Sequence, residues 1–276
     1  MKTGYDIIIQ AGQSNAQGCG IIERKGGTGI YIPRDEVLYY ADDFEKTDLL
    51  EKCSNGSKFE VCTAKERGDE TYAVTNFSLP FAEEYVKAGL LESGRKLLII
   101  RAAVGGTGFR DGHWGKTDDL YLRLLEAVKH ALKLDYGQND HRLVAFLWHQ
   151  GEAEVAQETT GERVYNDLKY LVDSVRNTFN CPELPFIAGD FVQDWKNASE
   201  EMVRLCKVVV DAMRKVCEDL PRAAFVSSEG LLSNRQDPNS PDIGGVKQDN
   251  IHFCHDAQNT LGKRYFEKFI GLIKRS

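Results

Sequence analysis

"DIIIQAGQSNAQGCG", residues 6–20, is the stretch that decides the fold. Ile7, Ile8 and Ile9 run together without polar alternation and lead into Gly12, Gln13, Ser14 and Asn15. Consecutive apolar positions mean a strand covered on both faces, as in parallel sheets wrapped by helices. The small polar cluster then falls at the carboxyl end of a strand, where open α/β sheets hold their ligands. Gly12 allows a tight turn, and the amides that follow would point at anything in front of Ser14. A serine in this place is more often just a helix cap. Ser14 alone does not choose between the two.

The same pattern repeats outward along the chain. Residues 96–104 (KLLIIRAAV), 143–148 (LVAFLW), 185–191 (PFIAGDF) and 223–228 (AAFVSS) are further strands. Helical spacing connects them: Phe81, Ala82, Tyr85, Val86 and Leu90, with Ser78 as cap and Pro80 in the first turn; then Leu120 to Leu132, Val164 to Phe179, Met202 to Leu220, and Leu261 to Ile273. Strand and helix alternate, and the strands are apolar on both sides. The expected class is α/β, three layers with a mostly parallel, doubly wound sheet. No Pro-, Gly- or Ser-rich linker divides residues 1–276, so one domain is expected. Residues 19–77 are polar and irregular, with short strand candidates such as VLYY, and read as a long excursion from the core.

Composition excludes several classes. The chain has 276 residues, 42% of them hydrophobic, and a formal net charge of -7. That charge, with no basic stripe, argues against nucleic-acid binding. No apolar run is long enough for a membrane span. The opening residues carry no charged-then-apolar leader, which sets the expectation of a cytoplasmic protein. Seven cysteines with irregular spacing and no Cys-x-x-Cys fit a reducing compartment. Cys206 and Cys217 occupy apolar helix positions; Cys19, Cys53, Cys62, Cys181 and Cys254 read as unpaired thiols.

Four loops at strand ends carry the polar residues. They are AGQSNAQG after the first strand, GGTGF (105–109) after the second, HQGEAE (149–154) after the third, and QDNIHF (248–253) before the last helix. His252 could take a proton from Ser14, and Asp249, three residues earlier, could orient the ring and support the imidazolium. An Asx turn with a half-buried histidine explains DNIHF equally simply. Gly105 and Gly106 let a backbone approach a ligand closely, and a plain turn is the alternative; GGTGF lacks the spacing of a phosphate loop. Gln150 could offer its amide to an oxyanion. Glu152 could order its loop or compete with Asp249 for the histidine. Glu152 and Glu154 as a glycosidase pair are disfavoured, since a loop does not hold them on one face. His149 with Glu152, and His252 with His255, do not make His-Glu-x-x-His, so no metal site is expected. Trp114 and Trp195 read either as sugar platforms or as core. Arg101 and Arg110 read as carboxylate ligands or surface charges.

GQSN, GGTGF, WHQGEAE and DNIHF, in that order, resemble the SGNH-hydrolase superfamily, and within it the sialate O-acetylesterase and acetyl xylan esterase group (carbohydrate esterase family 6). The resemblance spans nearly the whole chain. It implies an SGNH/flavodoxin-like α/β/α fold and removal of acetyl groups from sugars with no metal or other cofactor. Carried over, Ser14 is the nucleophile, His252 the base, and Asp249 or Glu152 its acidic partner. The amides of Ser14 and Gly106 and the side chain of Gln150 form the oxyanion hole. Gln13, Asn15, Gly105, His149 and Trp114 line the substrate site. The implied partner is an acetylated sugar or oligosaccharide. The other reading is a carbohydrate-binding protein on the same fold that has lost catalysis.

Overall fold

The computed structural model describes residues 2–24, 31–41 and 59–274. Its strands are β1 (Tyr5–Gly12), β2 (Gly20–Glu23), β3 (Val37–Ala41), β4 (Glu60–Thr63), β5 (Arg67–Gly68), β6 (Tyr72–Thr75), β7 (Lys96–Arg101), β8 (Arg142–His149), β9 (Phe186–Gly189) and β10 (Ala223–Val226). Seven of them form one sheet in the order β10-β9-β8-β1-β7-β3-β4. Every pairing in it is parallel except that of β4 with β3.

The isoleucine run explains the layers. Ile7 and Ile9 enter an apolar cluster with the helices Asp119–Ala131, Gly161–Thr178 and Glu200–Asp219. Ile8 points the other way, into a cluster with the helices Ser78–Lys87 and His255–Ile273. All three isoleucines are fully buried. Burying a side chain of that size contributes roughly 1.5–3 kcal/mol, so a single polar residue here would disfavour the sandwich. From β1 the chain first fills one side, laying down β3 and β4 before β7, and later the other side through β8, β9 and β10. The order therefore reverses at β1, which puts the sheet's crevice at its carboxyl end.

The opposite end of β1 is held by a buried charge cluster. Asp6 Oδ1 accepts from Arg95 Nε and from Arg142 Nε, both at 2.7 Å, and Asp6 Oδ2 accepts from the Tyr85 hydroxyl at 2.8 Å. The Arg95 side chain is only 1% exposed. Asp6→Ala would leave that guanidinium short of its carboxylate inside the protein. A loss of about 3 kcal/mol in urea unfolding is expected, with the slope unchanged. A loss below about 1 kcal/mol would mean the cluster is not what anchors β1.

Two expectations need correction. Residues 19–77 are not simply an excursion. VLYY lies in β3, which joins the main sheet beside β7 with Leu38 opposite Leu98 and Tyr39 opposite Ile99. Meanwhile β2, β6 and β5 make a separate antiparallel sheet. Ser78 is not a cap but the first helical residue. Asn76 Oδ1 accepts from the Ser78 amide at 3.0 Å, and Ser78 Oγ donates to Gln10 and Asn76. Cys19, Cys62, Cys181, Cys206, Cys217 and Cys254 are free thiols; Cys53 lies outside the described residues. No helix among the described residues is long and apolar enough to cross a membrane.

Candidate active site

The turn after β1 is set by a close backbone approach. Gly12 has φ +129, and a Cβ there would lie 2.1 Å from the His149 carbonyl oxygen of β8. No side chain fits, so glycine is required. The Gln13 amide donates to that same carbonyl at 3.0 Å, and the chain then enters the short helix Ser14–Gln17. On the other side of β1, Ala102 and Val104 donate to the Gln10 and Gly12 carbonyls. This carries the glycine loop up to the serine: a Cβ on Gly105 would sit 3.4 Å from Ser14 Cβ.

His252 reaches Ser14 from the loop between β10 and the last helix. Its Nε2 accepts from Ser14 Oγ at 2.9 Å, across 238 residues of sequence, and its Nδ1 donates to Asp249 Oδ2 at 2.8 Å. A carboxylate on one ring nitrogen selects the tautomer that leaves the other as acceptor. Burial pushes the Asp249 carboxyl up, but donation from His252 and Asn234 outweighs it and holds the group below the usual carboxylate range. Asp249 Oδ1 accepts from the amides of Ile251 and His252 at 3.2 and 3.1 Å.

The amides of Ser14 and Gly106 have no hydrogen-bond partner among the described residues, whereas that of Gly105 donates to Gln17 Oε1 at 3.1 Å. Glu152 is buried and does not bond to the His252 ring. Its Oε1 accepts from Asn15 Nδ2 at 2.8 Å, and burial raises its pKa above the ordinary value.

Several expected roles fail on geometry. Gln150 is 1% exposed, and its amide nitrogen is committed to the Thr107 carbonyl at 3.3 Å and to Glu154 Oε2, so it has no donor left for an oxyanion. Glu154 also accepts from the Phe109 amide at 2.7 Å, and burial pushes its carboxyl up to about 7. The pair braces the glycine loop. His149 is fully buried under the sheet edge, with Nδ1 on the Tyr265 hydroxyl at 3.0 Å and the rings of Phe77 and Phe253 beside it. Burial pushes its imidazole down to about 3. Trp114 is core: its Nε1 donates to Thr107 Oγ1 at 2.9 Å and its ring meets Trp148 edge-on. Asn15 is fully buried as well, with Nδ2 on the Ile251 carbonyl and Oδ1 accepting from the Phe253 amide, so it clasps the peptide groups either side of His252 rather than a substrate. Gln13 Oε1 accepts from the Ala153 amide at 3.2 Å. Trp195 packs edge-on against Phe191, Arg101 covers the Tyr39 ring, and Arg110 donates to the Gln157 carbonyl.

Asn234 and Gln17 contact the site and were not singled out by sequence. Asn234 lies in SNRQD, a loop without periodicity, and Gln17 looks like any polar residue of a short helix. Among the described residues no group of three or more His, Cys, Asp or Glu is placed to hold a metal ion.

The sequence profile described as "Carbohydrate esterase, sialic acid-specific acetylesterase" matches residues 4–271. The chain belongs to this esterase family. Membership makes it a carbohydrate O-acetylesterase. The esterase is 24% identical over 273 residues to a "Probable carbohydrate esterase At4g34215" of Arabidopsis thaliana, covering 93% of this chain and 86% of the relative. Among solved structures the esterase superposes on NanS with a TM-score of 0.76, covering 99% of this chain and 98% of NanS at 17% identity. XAC1771, described as a novel carbohydrate acetylesterase from Xanthomonas citri, gives 0.60 over 98% of this chain and 57% of its own at 13% identity. At such identities the esterase and these structures share a fold, the three-layer α/β/α arrangement described above.

Proposed function

We propose that this esterase removes O-acetyl groups from sugars, of the sialate type, by a serine mechanism with an acetyl-enzyme intermediate. The observation that carries the reading is the unbroken hydrogen-bonded chain from Ser14 Oγ through the His252 ring to Asp249. Ser14 Oγ attacks the acetyl carbonyl carbon while His252 Nε2 takes its proton. The carbonyl electron pair moves onto oxygen, and the amides of Ser14 and Gly106 can donate hydrogen bonds to that oxyanion. Each such donor is worth roughly 3 kcal/mol of barrier. As the tetrahedral intermediate collapses, the sugar oxygen leaves with the proton from His252. Water, deprotonated by the same nitrogen, then attacks the acetyl carbon; on collapse the bond to Ser14 Oγ breaks, His252 returns its proton to Oγ, and acetate leaves. Asp249 keeps the ring in its tautomer and supports the imidazolium throughout.

A serine-directed fluorophosphonate tests the nucleophile. One adduct per chain at Ser14, with acetate release lost in step, is expected. Adduct formation elsewhere, or full turnover after labelling of Ser14, would overturn the assignment. Acetate release from O-acetylated sialic acid against acetylated xylo-oligosaccharides decides the sugar. A preference for the xylo-oligosaccharides would refute the sialate type and leave the serine chemistry standing.

A further inference from the structure

Asn234 is fully buried in the loop between β10 and the last helix. Its Nδ2 donates to Asp249 Oδ2 and to the Cys19 carbonyl, both at 2.9 Å. Its backbone amide donates to the His252 carbonyl at 3.0 Å, and the next amide, that of Arg235, donates to the Asp249 carbonyl at 2.8 Å. The preceding residue, Ser233, bridges Phe253. Cys19 in turn donates its thiol to the Ser14 carbonyl at 3.4 Å. One side chain thus touches the acid and the turn that follows the nucleophile, while its backbone holds the segment of the base.

We infer that Asn234 is a positioning residue for the reaction: it fixes Asp249 Oδ2 in line with the His252 ring and ties that pair to the turn carrying Ser14. The inference rests on the roles proposed above for Ser14, His252 and Asp249. Each Asp249 oxygen has two donors, and Asn234 supplies the second on the oxygen that faces the ring. Its loss leaves Asp249 held by the Ile251 and His252 amides on Oδ1 and by the ring alone on Oδ2. It also leaves more of the negative charge for the imidazolium, because a donor to a carboxylate weakens that carboxylate's hold on a neighbouring proton. His252 should therefore keep its proton to higher pH.

Other ionisable groups around the pair stay in place in such a variant. Glu152 faces it across Asn15, and Cys19 lies on the Ser14 turn with Arg67 behind it, bonded to the Gly18 carbonyl. Arg235 is paired with Asp194, and Lys247 donates to the Asp237 and Pro238 carbonyls.

The test is the pH profile of kcat/KM for Asn234→Leu, similar in shape but without donors, and for Asn234→Ala. The acid limb should move up by about 0.5 to 1 pH unit in both. A residue that merely fills space would lower the plateau or the melting temperature and leave the limb where it was. An unshifted limb in either folded variant overturns the inference. Wild-type protein supplies a readout that needs no substitution: the Asn234 carboxamide proton resonance should follow the His252 titration, and a flat line across that range overturns it too. Ser14→Ala measured alongside separates the two levels. Full turnover there sinks the proposed mechanism, whereas a dead Ser14→Ala with an unshifted Asn234→Leu limb sinks only the role of Asn234.

Discussion

Ser14→Ala should lower kcat for sugar acetate release by about 10⁴-fold or more while the protein stays folded. In the proposed mechanism the Ser14 hydroxyl supplies the attacking oxygen, and no neighbour replaces it. The nearest alternative, the Cys19 thiol, is bonded to the Ser14 carbonyl, and burial pushes it up to about 11, so it is not a thiolate near neutral pH. Structurally the serine side chain contributes little. Among the described residues its hydrogen bond is to His252, and losing a single partly exposed bond of this kind costs about 1 kcal/mol. Titration of released acetate against the thermal melt of the same sample separates the two effects. A folded Ser14→Ala protein with activity within tenfold of wild type would remove Ser14 from the mechanism.

The two acidic candidates for the histidine's partner should part sharply. Asp249→Asn is expected to cost about 10³- to 10⁴-fold in kcat. An amide facing Nδ1 favours the tautomer with its proton on Nε2, and that nitrogen can no longer accept from Ser14. Glu152→Gln should change kcat by less than about tenfold. Its Oε1 accepts from Asn15, and a glutamine oxygen can do the same. Burial already biases Glu152 toward its neutral form. Should the order of the two effects reverse, Glu152 would be the group that supports the imidazolium.

The sheet could be read because its strands are apolar on successive residues, as Ile7 to Ile9 and Leu143 to Trp148 show. β3 was legible as a short strand candidate, but its place in the main sheet was not. It is only Val37–Ala41, it is set among polar residues, and its partner β7 is distant in sequence. Ser14 stood out because a small polar residue directly after an apolar strand is costly unless it does something, and Asp249 and His252 because their spacing lets one carboxylate reach the ring just before the last helix. The same logic misled at His149. Strand alternation sends Trp148 to one face and His149 to the other, into the rings of Phe77, Phe253 and Tyr265, so its polar character serves a buried bond. An aromatic beside a loop reads alike whether it stacks on a sugar or fills the core, and Trp114 fills the core. Gln150 was misjudged because its partner Glu154 becomes a neighbour only once Glu152–Ala156 turns helical. Asn234 acts through three-dimensional contacts alone and leaves no periodic trace.

Ser14 and His252 are separated by 238 positions, yet they share a hydrogen bond. During synthesis at about 5–20 residues per second, the serine emerges many seconds before its imidazole. On the proposed mechanism the nascent chain is catalytically silent until residue 252 has been made and its loop has docked on the Ser14 turn. In a refolding experiment the return of acetate release should accordingly trail fluorescence signals from Trp114 and Trp148. Turnover would mark closure of the native structure, where ring environments record only the packing of one side.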